Sequence, residues 1–149
     1  MTIQVKLLRP TARLPLRATT EAAGADVYCD ENFTVPAGGR QRVCTGISAR
    51  GPEGHYIQLH SRSSLAWHHG IHVVGGVIDR DYTGDIKVIL YNHSDETYYG
   101  TAGDRIAQMV CVKISAPLVK EVRSVMTEVG EEARCGGSRS SGGFGWTGR

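Results

Sequence analysis

At 149 residues and 16.1 kDa the chain has the size of one domain, long enough to bury a core without disulfide staples. Its 17 basic and 15 acidic residues leave a net charge of +2, which argues against a protein built to coat nucleic acid. No run approaches the ~20 apolar residues of a membrane span, and Met1–Pro10 lacks the apolar core and cleavage site of a signal peptide. The cysteines Cys29, Cys44, Cys111 and Cys135 form no C-x-x-C pair. Reduced thiols in an intracellular compartment, cytoplasmic or nuclear, are therefore expected, with neither a membrane nor nucleic acid as a direct partner.

In chain order, Ile3-Gln4-Val5-Lys6-Leu7, Asp26-Val27-Tyr28, Gln41-Arg42-Val43 and Tyr56-Ile57-Gln58-Leu59 alternate apolar and polar residues. That is the period of a half-buried strand. A short helix is predicted over Ser63–His68, with Ser61 as its cap. Two more alternating runs, Asp85–Leu90 and Ile106–Val112, predict strands. Turn residues at Pro36–Gly39, Gly51–Gly54, Asn92–Asp95 and Thr101–Asp104 separate these segments. Many short strands with Gly-rich turns predict an all-β domain, a sandwich, barrel or jelly roll. From about Thr127 the pattern changes to polar and Gly-rich sequence with little to bury. A mobile arm over 127–149 is expected after a folded domain over 1–126. Its aromatics, Phe144 and Trp146, suggest an arm that closes over something.

Three constellations can carry chemistry, and two others do not. Gly143-Phe144-Gly145-Trp146-Thr147-Gly148 spells G-x-G-x-x-G, but the chain ends one residue later, so no dinucleotide-binding helix is expected to follow. Its open backbone amides, with Arg139 and nearby hydroxyls, suit phosphate oxygens. Gly76-Val77-Ile78-Asp79-Arg80-Asp81-Tyr82-Thr83-Gly84-Asp85-Ile86 predicts a β-hairpin with carboxylates at its bend. A carboxylate beside a bound phosphate can orient and deprotonate water, although Asp and Gly are also ordinary turn residues. Ser61-Arg62-Ser63-Ser64 sets an arginine among three hydroxyls, a phosphate cradle or a plain helix cap. His68, His69 and His72 have neither the spacing nor the cysteine partners of a metal site. Asn92-His93-Ser94 fits a glycosylation pattern without a secretory signal to make it relevant.

Together these segments resemble the homotrimeric dUTPase family. Ala23-Gly24-Ala25-Asp26-Val27 is similar to A-G-x-D-L, and Ser61-Arg62-Ser63-Ser64-Leu65-Ala66 to P-R-S-G-L-A. Gly76 to Ile86 resembles G-x-I-D-x-D-Y-x-G-x-[IV]. Gly103-Asp104-Arg105-Ile106-Ala107-Gln108 matches the fourth motif throughout, and Arg139 to Gly148 resembles R-G-x-G-G-F-G-S-T-G. The five lie in the family's order over about residues 3 to 148.

The resemblance implies a distorted jelly-roll β-barrel, a homotrimer with sites between subunits, and Mg²⁺-dependent hydrolysis of dUTP to dUMP and pyrophosphate. It implies that Asp79 is the general base and that Tyr82 packs on the deoxyribose to exclude a 2′-hydroxyl. The segment of Gly75, Gly76, Val77, Ile78 and Lys87 would meet the uracil edge. Arg62, Ser63 and Ser64 would hold the α- and β-phosphates, with Gln108 near the α-phosphate. Asp26 would hold waters of the Mg²⁺ shell. From the arm, Arg139 and Thr147 would grip the γ-phosphate, and Phe144, beside Gly145, would stack on uracil. Ser61 stands where the family usually has Pro, Ser64 where it has Gly, and Trp146 where it has Ser; Arg134 is a second arm arginine.

Two other functions compete with this one. The related dCTP deaminases carry a catalytic Glu at the position of Ile89, and an aliphatic side chain cannot shuttle protons. A regulatory or signalling protein of the same fold, with hydrolysis secondary or lost, is the second; Asp79, Tyr82 and Gln108 favour retained catalysis.

Overall fold

The computed structural model describes residues 1–123 of the chain. Eleven strands and one helix follow one another in the first unit, Met1–Ser115. The second unit begins at Ala116, and its described residues, to 123, form no helix or strand. The predicted boundary at 126/127 and the arm beyond it lie outside the described residues.

The architecture is all-β, as the alternation predicts. The strands are β1 (Gln4–Leu7), β2 (Ala25–Tyr28), β3 (Phe33–Val35), β4 (Arg40–Cys44), β5 (Ile47–Arg50) and β6 (His55–His60). After helix α1 (Ser63–His69) come β7 (Ile71–Val74), β8 (Val77–Ile78), β9 (Lys87–Asn92), β10 (Tyr98–Gly100) and β11 (Arg105–Lys113). They pair as four antiparallel sheets, β1-β5, β10-β3, β2-β11-β6-β8 and β4-β9-β7. The central strand β9 alternates half-buried and buried residues along its length. Its inward Val88 and Leu90 join Val27, Val43, Ile47, Ile57, Leu59, Ile71, Ile86 and Ile106 in one core. Each such side chain contributes roughly 1.5–3 kcal/mol on burial.

Two local expectations fail. Ser61 does not cap α1. The N-cap is Arg62 with no side-chain bond, because the Ser61 hydroxyl instead accepts the Val73 N–H at 2.9 Å. The helix stops at Gly70, whose φ of 64° is left-handed and whose N–H returns to the Ala66 carbonyl, a turn that glycine adopts without strain. The predicted hairpin across Gly76–Ile86 is not a two-stranded ladder either. β8 pairs with β6, while β9 pairs with β4 and β7, so residues 79–86 cross from one sheet to another.

Asn92 is fully buried. Its amide donates to the Val35 and Glu96 carbonyls, and its oxygen accepts from Ser94. With both ends engaged inside the fold, it offers nothing to a glycan.

Candidate active site

The strand order of the largest sheet builds the first half of the site. β11 lies between β2 and β6, and its register sets Gln108 opposite both Asp26 and His60. Residues far apart in sequence thus meet at one end of three adjacent strands. Asp26 (on β2), Arg62 (just past β6) and Arg105 (at the start of β11) form an ionic knot. Arg62 Nε donates to Asp26 Oδ1 at 3.1 Å, and Arg105 Nη1 donates to Asp26 Oδ2 at 3.0 Å. A second Arg62 donor reaches the Arg105 carbonyl at 3.0 Å. Gln108 Nε2 donates to the Ser61 carbonyl at 2.9 Å.

These groups line a cleft of about 240 Å³ together with Ser63, Ser64, Gly24, Ala18 and Ala22. The spare bonding capacity identifies what the cleft accepts. A guanidinium has five N–H donors, and Arg62 spends two of them on Asp26 and Arg105. The cleft that Arg62 lines is also lined by Ser63 and Ser64, both exposed. A guanidinium with donors to spare, beside two hydroxyls, suits phosphate oxygens. Gly24 is required for close packing, because a Cβ there would stand 2.9 Å from Gln108 Oε1 and 3.3 Å from the Met109 carbonyl.

Arg105 was not among the residues expected at the site. It sits inside a motif that the sequence displays, but its pairing with Asp26 follows only from the β2–β11 register. Asp26 keeps lone pairs for water after accepting two guanidinium bonds, since a carboxylate offers about four acceptor sites. Among the described residues no group of three or more His, Cys, Asp or Glu is gathered to hold a metal ion. This donor set of one carboxylate and neutral oxygens fits a Mg²⁺ that arrives with a phosphate ligand and keeps its waters.

The other expected residues lie elsewhere on the chain. Asp79 is exposed and its carbonyl accepts the Tyr82 N–H at 3.1 Å. Tyr82 is 44% exposed, with its hydroxyl donating to the Asp85 carbonyl at 3.0 Å. Neither residue lines the cleft. The register explains why. Ile78 pairs with Ile57 and Val77 with Gln58, so the antiparallel strand carries Asp79 away from the Arg62 end of β6. From Ile57 to the end of β6 is already roughly 10 Å of strand.

Gly76 is buried against β6. Its carbonyl accepts the Leu59 N–H at 2.8 Å, and an added Cβ would lie 2.3 Å from the Leu59 carbonyl. Gly75 and Val77 are exposed beside it and Ile78 is half-buried. Lys87 opens β9 with its Nζ 3.8 Å from Asp85. Ile89 is paired on both sides within β9. Arg134, Arg139, Phe144, Gly145, Trp146 and Thr147 lie outside the described residues.

Comparison with known proteins identifies the family. The dUTPase family model matches residues 11–142. The deoxyuridine 5′-triphosphate nucleotidohydrolase of Yarrowia lipolytica is 43% identical over 148 residues, covering 99% of this chain and 90% of that protein. The protein of the same name from Paramecium bursaria Chlorella virus 1 is 45% identical over 144 residues, covering 97% and 96%. Among solved structures, a mutant dUTPase from phage phi11 of S. aureus, described as coordinating a structural Mg(II) ion, matches with a TM-score of 0.78 at 25% identity, over 85% of this chain and all of that one. From the motifs, the sheet order and these matches together, the chain belongs to the dUTPase family.

Proposed function

We propose that this chain hydrolyses dUTP to dUMP and pyrophosphate, which keeps uracil out of DNA and supplies dUMP for thymidylate synthesis. The observation that carries this reading is the cleft in which Asp26 is clamped by Arg62 and Arg105 beside Ser63, Ser64 and Gln108. Arg62 and the two serines hold the α- and β-phosphates with their unspent donors. Gln108 has one amide hydrogen on the Ser61 carbonyl and offers the other to the α-phosphate. Mg²⁺, when bound on the triphosphate, supplies positive charge that offsets the phosphate oxygens. Asp26 would hold waters of that ion through the lone pairs that the arginines leave open.

Asp79 acts as the base. It takes a proton from a water whose oxygen attacks the α-phosphorus in line, the bond from that phosphorus to the bridging oxygen breaks, and pyrophosphate leaves. Tyr82 packs against the deoxyribose, where a 2′-hydroxyl would meet a ring carbon and lose its hydrogen bond to water. The edge of uracil is read by the backbone of Gly75 to Ile78 and of Lys87.

One copy of the chain keeps the cleft and Asp79 apart, which supports a site shared between subunits of a homotrimer: the cleft of one chain, the 79–86 loop of a second, and the 127–149 segment of a third. In that arrangement Arg139, Phe144, Gly145 and Thr147 complete the grip on the base and the γ-phosphate. Reduced Cys29, Cys44 and Cys111 suit a cytoplasmic or nuclear address.

Pyrophosphate release from dUTP, dCTP, dTTP and UTP, run in parallel, tests the reaction. Release from dUTP alone is expected, and equal rates on UTP would overturn the substrate assignment. Light scattering of the same sample is expected to give roughly three times 16.1 kDa; a stable, active monomer would overturn the shared site.

A further inference from the structure

The 79–86 loop carries the proposed base and sugar-packing residues but forms no strand of its own. Its anchors are therefore countable. The Ile86 N–H donates to the Ile47 carbonyl at 2.8 Å, and Thr45 Oγ1 donates to the Ile86 carbonyl at 2.6 Å. Ser48 Oγ donates to the Thr83 carbonyl at 3.0 Å. The side chain that ties the loop to a distant part of the fold is Asp85. Its Oδ2 accepts from Arg9 Nη2 at 2.9 Å, while Arg9 Nη1 donates to Asp30 Oδ2 at 2.7 Å.

Both carboxylates are poorly solvated: the Asp30 side chain is 3% exposed and that of Asp85 13%, against 44% for Arg9. Arg9 therefore reaches in from the surface and bridges two enclosed anions. Asp30 is in turn fixed, because its N–H donates to the Cys44 carbonyl at 3.1 Å.

The Asp85 carboxylate is also costly where it stands. Its Oδ1 is buried and has no hydrogen-bond partner among the described residues, and Lys87 Nζ approaches only Oδ2, at 3.8 Å. An enclosed polar atom left unsatisfied needs a compensating role, and an apolar side chain would have avoided it. We infer that Arg9 and Asp85 form a latch that positions the loop of Asp79 and Tyr82 for reaction, with Arg9 anchored on Asp30. This inference rests on the assignment of Asp79 as the base.

The route from latch to reacting groups is short. The Asp85 carbonyl receives the Tyr82 hydroxyl, and the Tyr82 N–H closes a turn onto the Asp79 carbonyl. A released Asp85 loosens both partners. Arg9 and Asp85 are positioning residues, since the contacts described for them are to each other, to the loop, to Asp30 and to Lys87. The sequence pattern of the third motif leaves the position of Asp85 open, so nothing in that motif requires a carboxylate there. Lysine at position 9 keeps the charge but lacks the planar fork that spans two carboxylates.

The test compares Asp85→Ala, Arg9→Lys, Asp79→Asn and the double variant Asp79→Asn/Asp85→Ala. Each is assayed for kcat and KM on dUTP, for the dUTP to UTP ratio of kcat/KM, and for thermal melting. Misplacing a catalytic group by about 1 Å costs up to ~10²-fold, so Asp85→Ala is expected to lower kcat about tenfold or more. KM should change far less, and the dUTP to UTP ratio should narrow because Tyr82 moves too. Arg9→Lys should fall between Asp85→Ala and wild type. The double variant should be no slower than Asp79→Asn alone, since a latch has nothing to position once the base is gone. A folded Asp85→Ala with kcat within about twofold of wild type and an unchanged ratio overturns the latch. If Asp85→Ala does not fold, Arg9→Lys decides on the same readouts. An inactive Asp79→Asn beside a normal Asp85→Ala removes the latch alone, whereas an active Asp79→Asn removes the base assignment itself.

Discussion

The Asp26 cleft and the 79–86 loop differ in how much of their working geometry a single chain supplies. In the cleft, three strands deliver two arginines and a carboxylate already in contact, at 3.0 and 3.1 Å, and Gln108 is fixed on the Ser61 carbonyl. Such groups meet a ligand preorganised, with little reorganisation left to oppose binding. In the loop, Asp79 is exposed and Tyr82 presents 44% of its surface. The proposed grip on the α- and β-phosphates is thus built within one fold, while the groups proposed for base and sugar are exposed, as expected of residues that serve a neighbouring copy. Affinity and turnover should therefore separate by region.

The largest expected effect is on turnover. Asp79→Asn keeps the side chain's size and removes its basicity, so kcat should fall ~10²–10⁴-fold while dUTP binding, measured by calorimetry, stays within a few-fold because the cleft is untouched. Wild-type turnover in a folded Asp79→Asn protein would erase the division of labour between the regions. Tyr82→Ala should act next most strongly, and on discrimination. The penalty for a 2′-hydroxyl with no partner is ~1–3 kcal/mol, and that gap between dUTP and UTP should close when the ring is removed. An unchanged ratio of kcat/KM would move sugar selection out of the loop.

Legibility in the sequence follows the same division. Asp85–Leu90 was readable because β9 buries alternate residues, and Ile106–Val112 because its long apolar-polar alternation lies in a strand paired on both sides. The short β3 and β10 were not, because three residues hold too little of any period, and β7 was not, because the adjacent Val73 and Val74 break its alternation; β5 has the alternation but sits between turn residues on both flanks. The third motif announces a turn through Asp and Gly, yet turn chemistry says nothing about which strand each arm joins. Here the arms join different sheets. Asp26 and Gln108 were recognisable one by one. That Arg105 braces Asp26 was not, because a β-sheet register is a long-range property absent from any local pattern.

The smallest expected effect sharpens the comparison from the structural side. Ser61 lies at the hinge between β6 and α1, where the family usually has proline. Its hydroxyl accepts the Val73 N–H at 2.9 Å, and its carbonyl holds Gln108. Ser61→Ala deletes the first bond and keeps the second. Leaving a half-enclosed amide without its acceptor costs about 1 kcal/mol, a drop of roughly 2–4 °C in melting temperature for a chain of this size. Turnover should not change, because the Gln108 contact is to backbone. Ser61→Pro removes the same hydroxyl but also narrows the unfolded ensemble, worth ~0.4–1 kcal/mol where the native backbone permits it, so it should melt above Ser61→Ala. If Ser61→Ala melts with the wild type, the Val73 amide is satisfied by water and the hydroxyl contributes nothing to the hinge. If it slows turnover, Ser61 belongs to the cleft as more than a backbone support.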